Sequence, residues 1–216
     1  MSVKNGAVPN EESKTAFSVL SAHFPEPGEK LKTLEFLDAA AGVVSLVEKL
    51  GKIFSPVVND INGNIKKLLE SYNKDPETNE YLEDMILKEQ IEGDNSRGIA
   101  TDALLWLRRA LHFKSIFFQL IIMDTDSQRL VQDLTPFIKR AYSESLERYH
   151  GWLGSQLFHV ISRFIPNRKS LLCTLALNRN DKEEEVIRDM KQYNLRLSRC
   201  VSKLRQFYMD HHLEPI

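Results

Sequence analysis

From Leu31 onward the chain repeats one pattern, apolar residues three or four apart, with Gly, Pro, Asn or Asp at the breaks. The segments are TLEFLDAAAGVVSLVEKLG, PVVNDINGNIKKLLESYNKD, NEYLEDMILKEQIEGD, ATDALLWLRRALHFKSIFFQLIIM, LVQDLTPFIKRAYSESLERYHGWLGSQLFHVISRFI, RKSLLCTLA and DKEEEVIRDMKQYNLRLSRCVSKLRQFYMDHH. Valine and isoleucine never alternate with polar residues between hairpin turns, and no fixed-period repeat appears, so an all-α fold is expected. The 216 residues, 42% of them hydrophobic, suit one domain with a substantial core, expected over 31–216. Residues 1–30 are polar and contain FPEPGEK, which predicts a flexible arm with one short helix at 11–22.

Composition removes several function classes. Lys plus Arg total 29 against 30 Asp plus Glu, a net charge of −1, so nothing draws the chain toward nucleic acid. The N-terminus lacks the apolar core of a signal peptide, and the longest apolar stretch, SIFFQLIIM, is about half of what a bilayer-spanning helix needs. Cys173 and Cys200 lie far apart and read as unpaired packing residues, which predicts a soluble, cytoplasmic protein. The six histidines show no zinc spacing, and no phosphate loop, nucleophile elbow or Cys–His arrangement is visible. Neither an enzyme nor a metal or cofactor is expected. Asn180 and Glu183, at capping-box spacing, read as the start of the last helix.

Three stretches carry the candidate chemistry. In DINGNIKK, Asp60, Asn64 and Lys67 stand at i, i+4 and i+7, on one helix face about 100° from the apolar stripe. They read either as a solvated face or as an acceptor, an amide and a cation aimed at a polar ligand. Gly63 beside the row offers close approach to the backbone. In LLWLRRALHFKSIFFQL, Trp106, Phe113 and Phe117 share a surface that is either core or the wall of an apolar cavity. In RYHGWLGSQLF, His150 sits beside two glycines and a tryptophan within an apparently continuous helix, as a structural histidine or a ligand contact.

In this order and spacing, DINGNIKK, LLWLRRALHF and YHGWL resemble the motifs of the glycolipid transfer protein family, over roughly residues 30 to 210. The resemblance implies a two-layer, all-α fold that encloses an apolar pocket and carries one sphingolipid between membranes. Asp60, Asn64, Lys67 and Trp106 would hold the sugar headgroup, with Trp106 stacked on the sugar ring, and His150 would bond the ceramide amide. Phe54, Val57, Phe113, Phe117, Leu146 and Phe158 would line the pocket, and Trp152 would dock on the membrane.

The family also has a branch that carries ceramide-1-phosphate, with arginines where this chain has Trp106 and Asp102. An acid beside the headgroup repels phosphate, so a neutral glycosphingolipid is expected, with phosphosphingolipid transfer or a sphingolipid sensor acting through a protein partner as alternatives. Arg109 matches a basic position of both branches. The tail YMDHHLEPI does not align with the neutral-lipid members, which leaves a ligand contact by Tyr208 open. A monomer in transient contact with the cytosolic face of membranes is expected.

Overall fold

The structure is a computed structural model that describes residues 14–93 and 98–214. Eight α-helices lie among the described residues: α1 (Thr33–Glu48), α2 (Ser55–Tyr72), α3 (Leu82–Glu92), α4 (Ile99–Asp126), α5 (Thr135–Ser145), α6 (Trp152–Ile161), α7 (Arg168–Leu175) and α8 (Glu183–Asp210). No strand occurs among them, and β-type pairing is limited to an isolated antiparallel bridge between Lys32 and Tyr81. The all-α expectation holds.

α4 organises the fold. α2, α5 and α8 pack along it, and α1 packs on α2. A helix with partners on several sides needs apolar residues around most of its circumference, and Ala103, Leu104, Leu107, Leu111, Phe118 and Ile121 of α4 are all buried. α2 has one covered side, so a single stripe, Ile61, Ile65 and Leu68, turns inward together with Asn64. A buried ion pair, Arg168 to Asp124 at 2.8 Å, ties the start of α7 to the end of α4.

The ends follow local rules with one departure. Pro56 opens α2, where its missing N–H is harmless, and the Asn167 side chain caps α7 by accepting from Ser170 N at 2.8 Å. At α8 the expected Asn180 cap is replaced by Lys182 at the cap position without a side-chain bond. Lys182 pairs instead with Glu185 at 3.0 Å, and three glutamates in the first turn complement the helix dipole.

Two other expectations are corrected. The stretch from Leu130 to Ile165 is not one helix: His150 (φ −83°, ψ 127°) and Gly151 (φ −69°, ψ 179°) are extended and separate α5 from α6. The apolar period runs through the break because α5 and α6 both cover the same cavity. Of the arm, residues 1–13 lie outside the described residues, but 14–30 are packed against the body. Phe17 and Phe24 are both buried, Phe17 against Phe118 and Tyr193 and Phe24 against Phe36, and residues 16–19 form a turn where a helix was expected. Two phenylalanines supply enough apolar area to hold a segment whose composition is otherwise that of a loop.

Cys173 and Cys200 are free thiols. Cys200 is fully buried, and that burial, with Glu26 and Glu83 nearby, pushes its thiol up to about 12, so it packs as a neutral group. No described helix is long and apolar enough to cross a membrane.

Candidate binding cavity

α1, α2, α4, α5 and α6 enclose a cavity of about 670 Å³. Its polar end is built by Asp60, Asn64 and Lys67 from α2, by Asp102 and Trp106 from α4, and by His150 from the break between α5 and α6. The body is apolar, and Phe54, Val57, Phe113, Phe117, Leu146 and Phe158 all line it, with Lys114 as a polar exception. Residues nominated from three separate stretches of sequence therefore surround one space. Trp152 does not line it.

α2 aims its polar row by register alone, since residues three and four apart share a face. Asp60 and Lys67 reach solvent, whereas Asn64 is buried and its Nδ2 donates to the Asp60 carbonyl at 3.0 Å, which fixes the amide against the helix. Surrounding protein raises the Asp60 carboxyl above its usual value of 3.8 even though the side chain keeps contact with solvent, and His150 and Lys67 only partly offset this. Gly63 is not part of the lining, and a Cβ there would meet nothing within 4 Å, so no neighbouring group requires a glycine at this position.

His150 is held from three directions. Its Nδ1 lies 3.1 Å from the Tyr142 hydroxyl, which itself donates to Ser155 Oγ at 3.3 Å. Its ring stacks on Trp106, with centroids 6.0 Å apart and planes at 25°. Against its other side lies Gly154, where a Cβ would stand 3.1 Å from His150 Cγ. Burial lowers the imidazole pKa below 6.5; Asp60 opposes the shift and Arg109 adds to it. A neutral imidazole with Nδ1 engaged leaves Nε2 as the ring nitrogen open to an occupant of the cavity.

Behind Trp106 stands a cluster that the sequence reading missed. The Arg109 guanidinium lies 5.0 Å from the Trp106 ring centre and 3.4 Å from that of Tyr149. Glu214 Oε1 accepts from Arg108 at 2.7 Å, from Tyr149 at 2.9 Å and from Arg109 at 3.3 Å. Neither arginine lines the cavity, and Glu214, four residues beyond the end of α8, pairs with both. No local pattern marks Glu214 as a partner of residues 105 and 106 positions away. Tyr208 is buried and donates to the Thr101 carbonyl at 2.7 Å; it too stays out of the lining.

Trp152 opens α6 and is 77% exposed. Leu153, Leu157, Val160 and Phe164 extend it into an exposed apolar face, and Leu157 also lines the cavity, so face and cavity are continuous. Monomeric proteins seldom leave such a patch without a use.

An all-α fold wrapped around an apolar cavity with one polar end is the build of a carrier for an amphiphile. A family model described as Glycolipid transfer protein (GLTP) matches residues 31–177, and the chain belongs to the glycolipid transfer protein family. It is 32% identical to Glycolipid transfer protein A of Xenopus laevis over 195 residues, 87% of this chain and 85% of that protein. It is 31% identical to Pleckstrin homology domain-containing family A member 8 of Danio rerio over 93% of this chain but 37% of that protein. The chain thus spans about two fifths of the length of that group of relatives. Among solved structures, FAPP2, described as selecting simple glycosphingolipids with the GLTP-fold, superposes with a TM-score of 0.80 at 29% identity over 94% of this chain and 98% of that one. The fungal glycolipid transfer protein HET-C2 gives 0.79 at 26% identity over 90% and 97%.

Proposed function

We propose that this protein extracts one glycosphingolipid from a membrane, shelters it and delivers it to another, with no covalent bond made or broken. One observation carries the reading: the polar row of α2, the Trp106–His150 stack and the apolar cavity meet at one opening. Membership of the family, and relatives named for glycolipid transfer, support it further.

In this reading Asp60 accepts hydrogen bonds from sugar hydroxyls, Asn64 and Lys67 add polar contacts, Trp106 stacks on the apolar face of the sugar, and His150 bonds the ceramide amide. The hydrocarbon chains lie among Phe54, Val57, Phe113, Phe117, Leu146 and Phe158. Burying them yields about 0.8 kcal/mol per CH₂, but a bilayer offers nearly the same, so the chains supply capacity and the polar end supplies choice. A headgroup without hydroxyls for Asp60, Asn64 and Lys67 forfeits those hydrogen bonds. The exposed face of α6, led by Trp152, touches the membrane while the lipid enters, and the protein works as a monomer at the cytosolic face.

A neutral sugar is favoured over phosphate because Asp102 and Trp106 stand at the polar end, while the nearby arginines are already engaged by Glu214. Vesicle-to-vesicle transfer of a fluorescent monohexosylceramide, run beside ceramide-1-phosphate, tests this. Wild type should move the sugar lipid faster, and Asp60→Val should slow it sharply. Equal transfer by wild type and Asp60→Val, or a preference for the phosphate, would end the proposal.

A further inference from the structure

Lys114 lies two turns along α4 from Trp106, about 12 Å at the helical rise. It lines the apolar body of the cavity, and only 8% of it is exposed. Its Nζ donates to the Tyr193 hydroxyl at 3.1 Å and sits 5.0 Å and 4.6 Å from the ring centres of Phe118 and Tyr193. Among the described residues it forms no ion pair, and burial holds its pKa well below the ordinary value of 10.5. With one N–H given to Tyr193, the amine keeps at least one further N–H to donate.

Placing such a group in an otherwise apolar wall is unfavourable. A methionine or leucine would fill the same space without a polar atom to desolvate, whereas a buried amine with one partner has most of its hydrogen-bonding capacity unused. Tyr193 comes from α8 and is itself enclosed by Phe17, Phe24 and Phe118, so it holds the amine from behind and leaves the cavity side open. The separation from Trp106 and His150 sets Lys114 apart from the headgroup end. A group that reaches it must be carried along a hydrocarbon chain.

We propose that Lys114, backed by Tyr193, is a second polar subsite that receives an oxygen function, a hydroxyl or keto group, borne part-way along a hydrocarbon chain of the ligand. The inference rests on the lipid-carrier reading above. A hydroxyl or keto oxygen complements the pair, since either accepts from the N–H that Tyr193 leaves unused. A plain chain leaves the amine as it stands, while an oxygenated chain recovers a hydrogen bond that neither partner can make with water in that position.

The test compares two monohexosylceramides of equal chain length, one plain and one with a single mid-chain hydroxyl, by displacement of a fluorescent lipid from wild type and from Lys114→Met. Wild type should prefer the hydroxylated lipid by about three- to tenfold, the return from one net hydrogen bond in an apolar setting. In Lys114→Met the ratio should fall to about one. A third lipid with its hydroxyl at the chain terminus should gain nothing over the plain one. Equal binding of plain and mid-chain hydroxylated lipids by wild type overturns the subsite with no variant needed, and so does a preference that survives Lys114→Met. Failure of wild type to bind any of the three lipids would instead remove the carrier reading, and the subsite with it.

Discussion

The carboxylate of Glu214 lies 2.7 Å from a guanidinium nitrogen of Arg108, a side chain only 3% exposed on α4. The same oxygen reaches Arg109, which stands behind Trp106, so a residue beyond α8 braces the wall of the cavity from outside. Glu214→Ala leaves two buried guanidinium groups without their carboxylate, while both Nε atoms already lack partners. Urea denaturation should report a loss of about 3 kcal/mol, the lower end for a broken buried pair because Glu214 keeps some contact with water.

The same contact gives a signature in acid. Desolvation pushes the Glu214 carboxyl up, but Arg108, Tyr149 and Arg109 together outweigh it and hold it below its usual 4.5. A carboxyl depressed in the folded state contributes stability that is complete above the unfolded value and disappears as pH falls through the folded one. Stability measured from neutrality downward should therefore drop below about pH 4.5, and Glu214→Gln should flatten that limb.

Asp60 has the opposite sign. Its carboxyl is raised above 3.8, chiefly by burial, so protonation sets in at higher pH than for a free aspartate. If the carboxylate accepts sugar hydroxyls, headgroup affinity should fall on acidification with a midpoint above pH 3.8. Titration of binding, with the folded state followed in parallel, checks this; in Asp60→Asn the step should vanish and overall affinity should be lower throughout.

Two glycines separate packing from propensity. A Cβ at Gly154 would press on His150 at 3.1 Å, so Gly154→Ala should shift the imidazole and weaken lipid binding several-fold. At Gly63 nothing lies within 4 Å, so Gly63→Ala should raise stability by up to about 1 kcal/mol and leave transfer unchanged. Thermal melts and transfer rates of both variants measure the contrast.

Trp152, 77% exposed, contributes little to the core. Trp152→Ala should change stability by no more than about 0.5 kcal/mol, slow transfer between vesicles, and spare binding of a short-chain lipid free in solution. Parallel loss in both assays would assign Trp152 to the fold.

Much of the architecture was legible in the pattern of residues. The spacing in DINGNIKK put Asp60, Asn64 and Lys67 on one face because that face depends only on the geometry inside one helix. The aromatic surface of α4 was equally visible, but whether it met core or cavity was not, since Trp106, Phe113 and Phe117 would show the same period in either case. The break at His150 escaped because α5 and α6 face the same cavity and keep one apolar rhythm across it.

The amino-acid order by itself determined the helical class, the register of the polar row and the resemblance of three motifs, all consequences of contacts within a few residues. Only the tertiary structure decided that Phe17 and Phe24 hold the N-terminal segment to the body, that Glu214 pairs with both Arg108 and Arg109, and that Lys114 is enclosed beside Tyr193. Each of these joins groups from distant parts of the chain. Their energies come from burial and from the pairing of desolvated charge or polarity, which the folded surroundings create and no local period records.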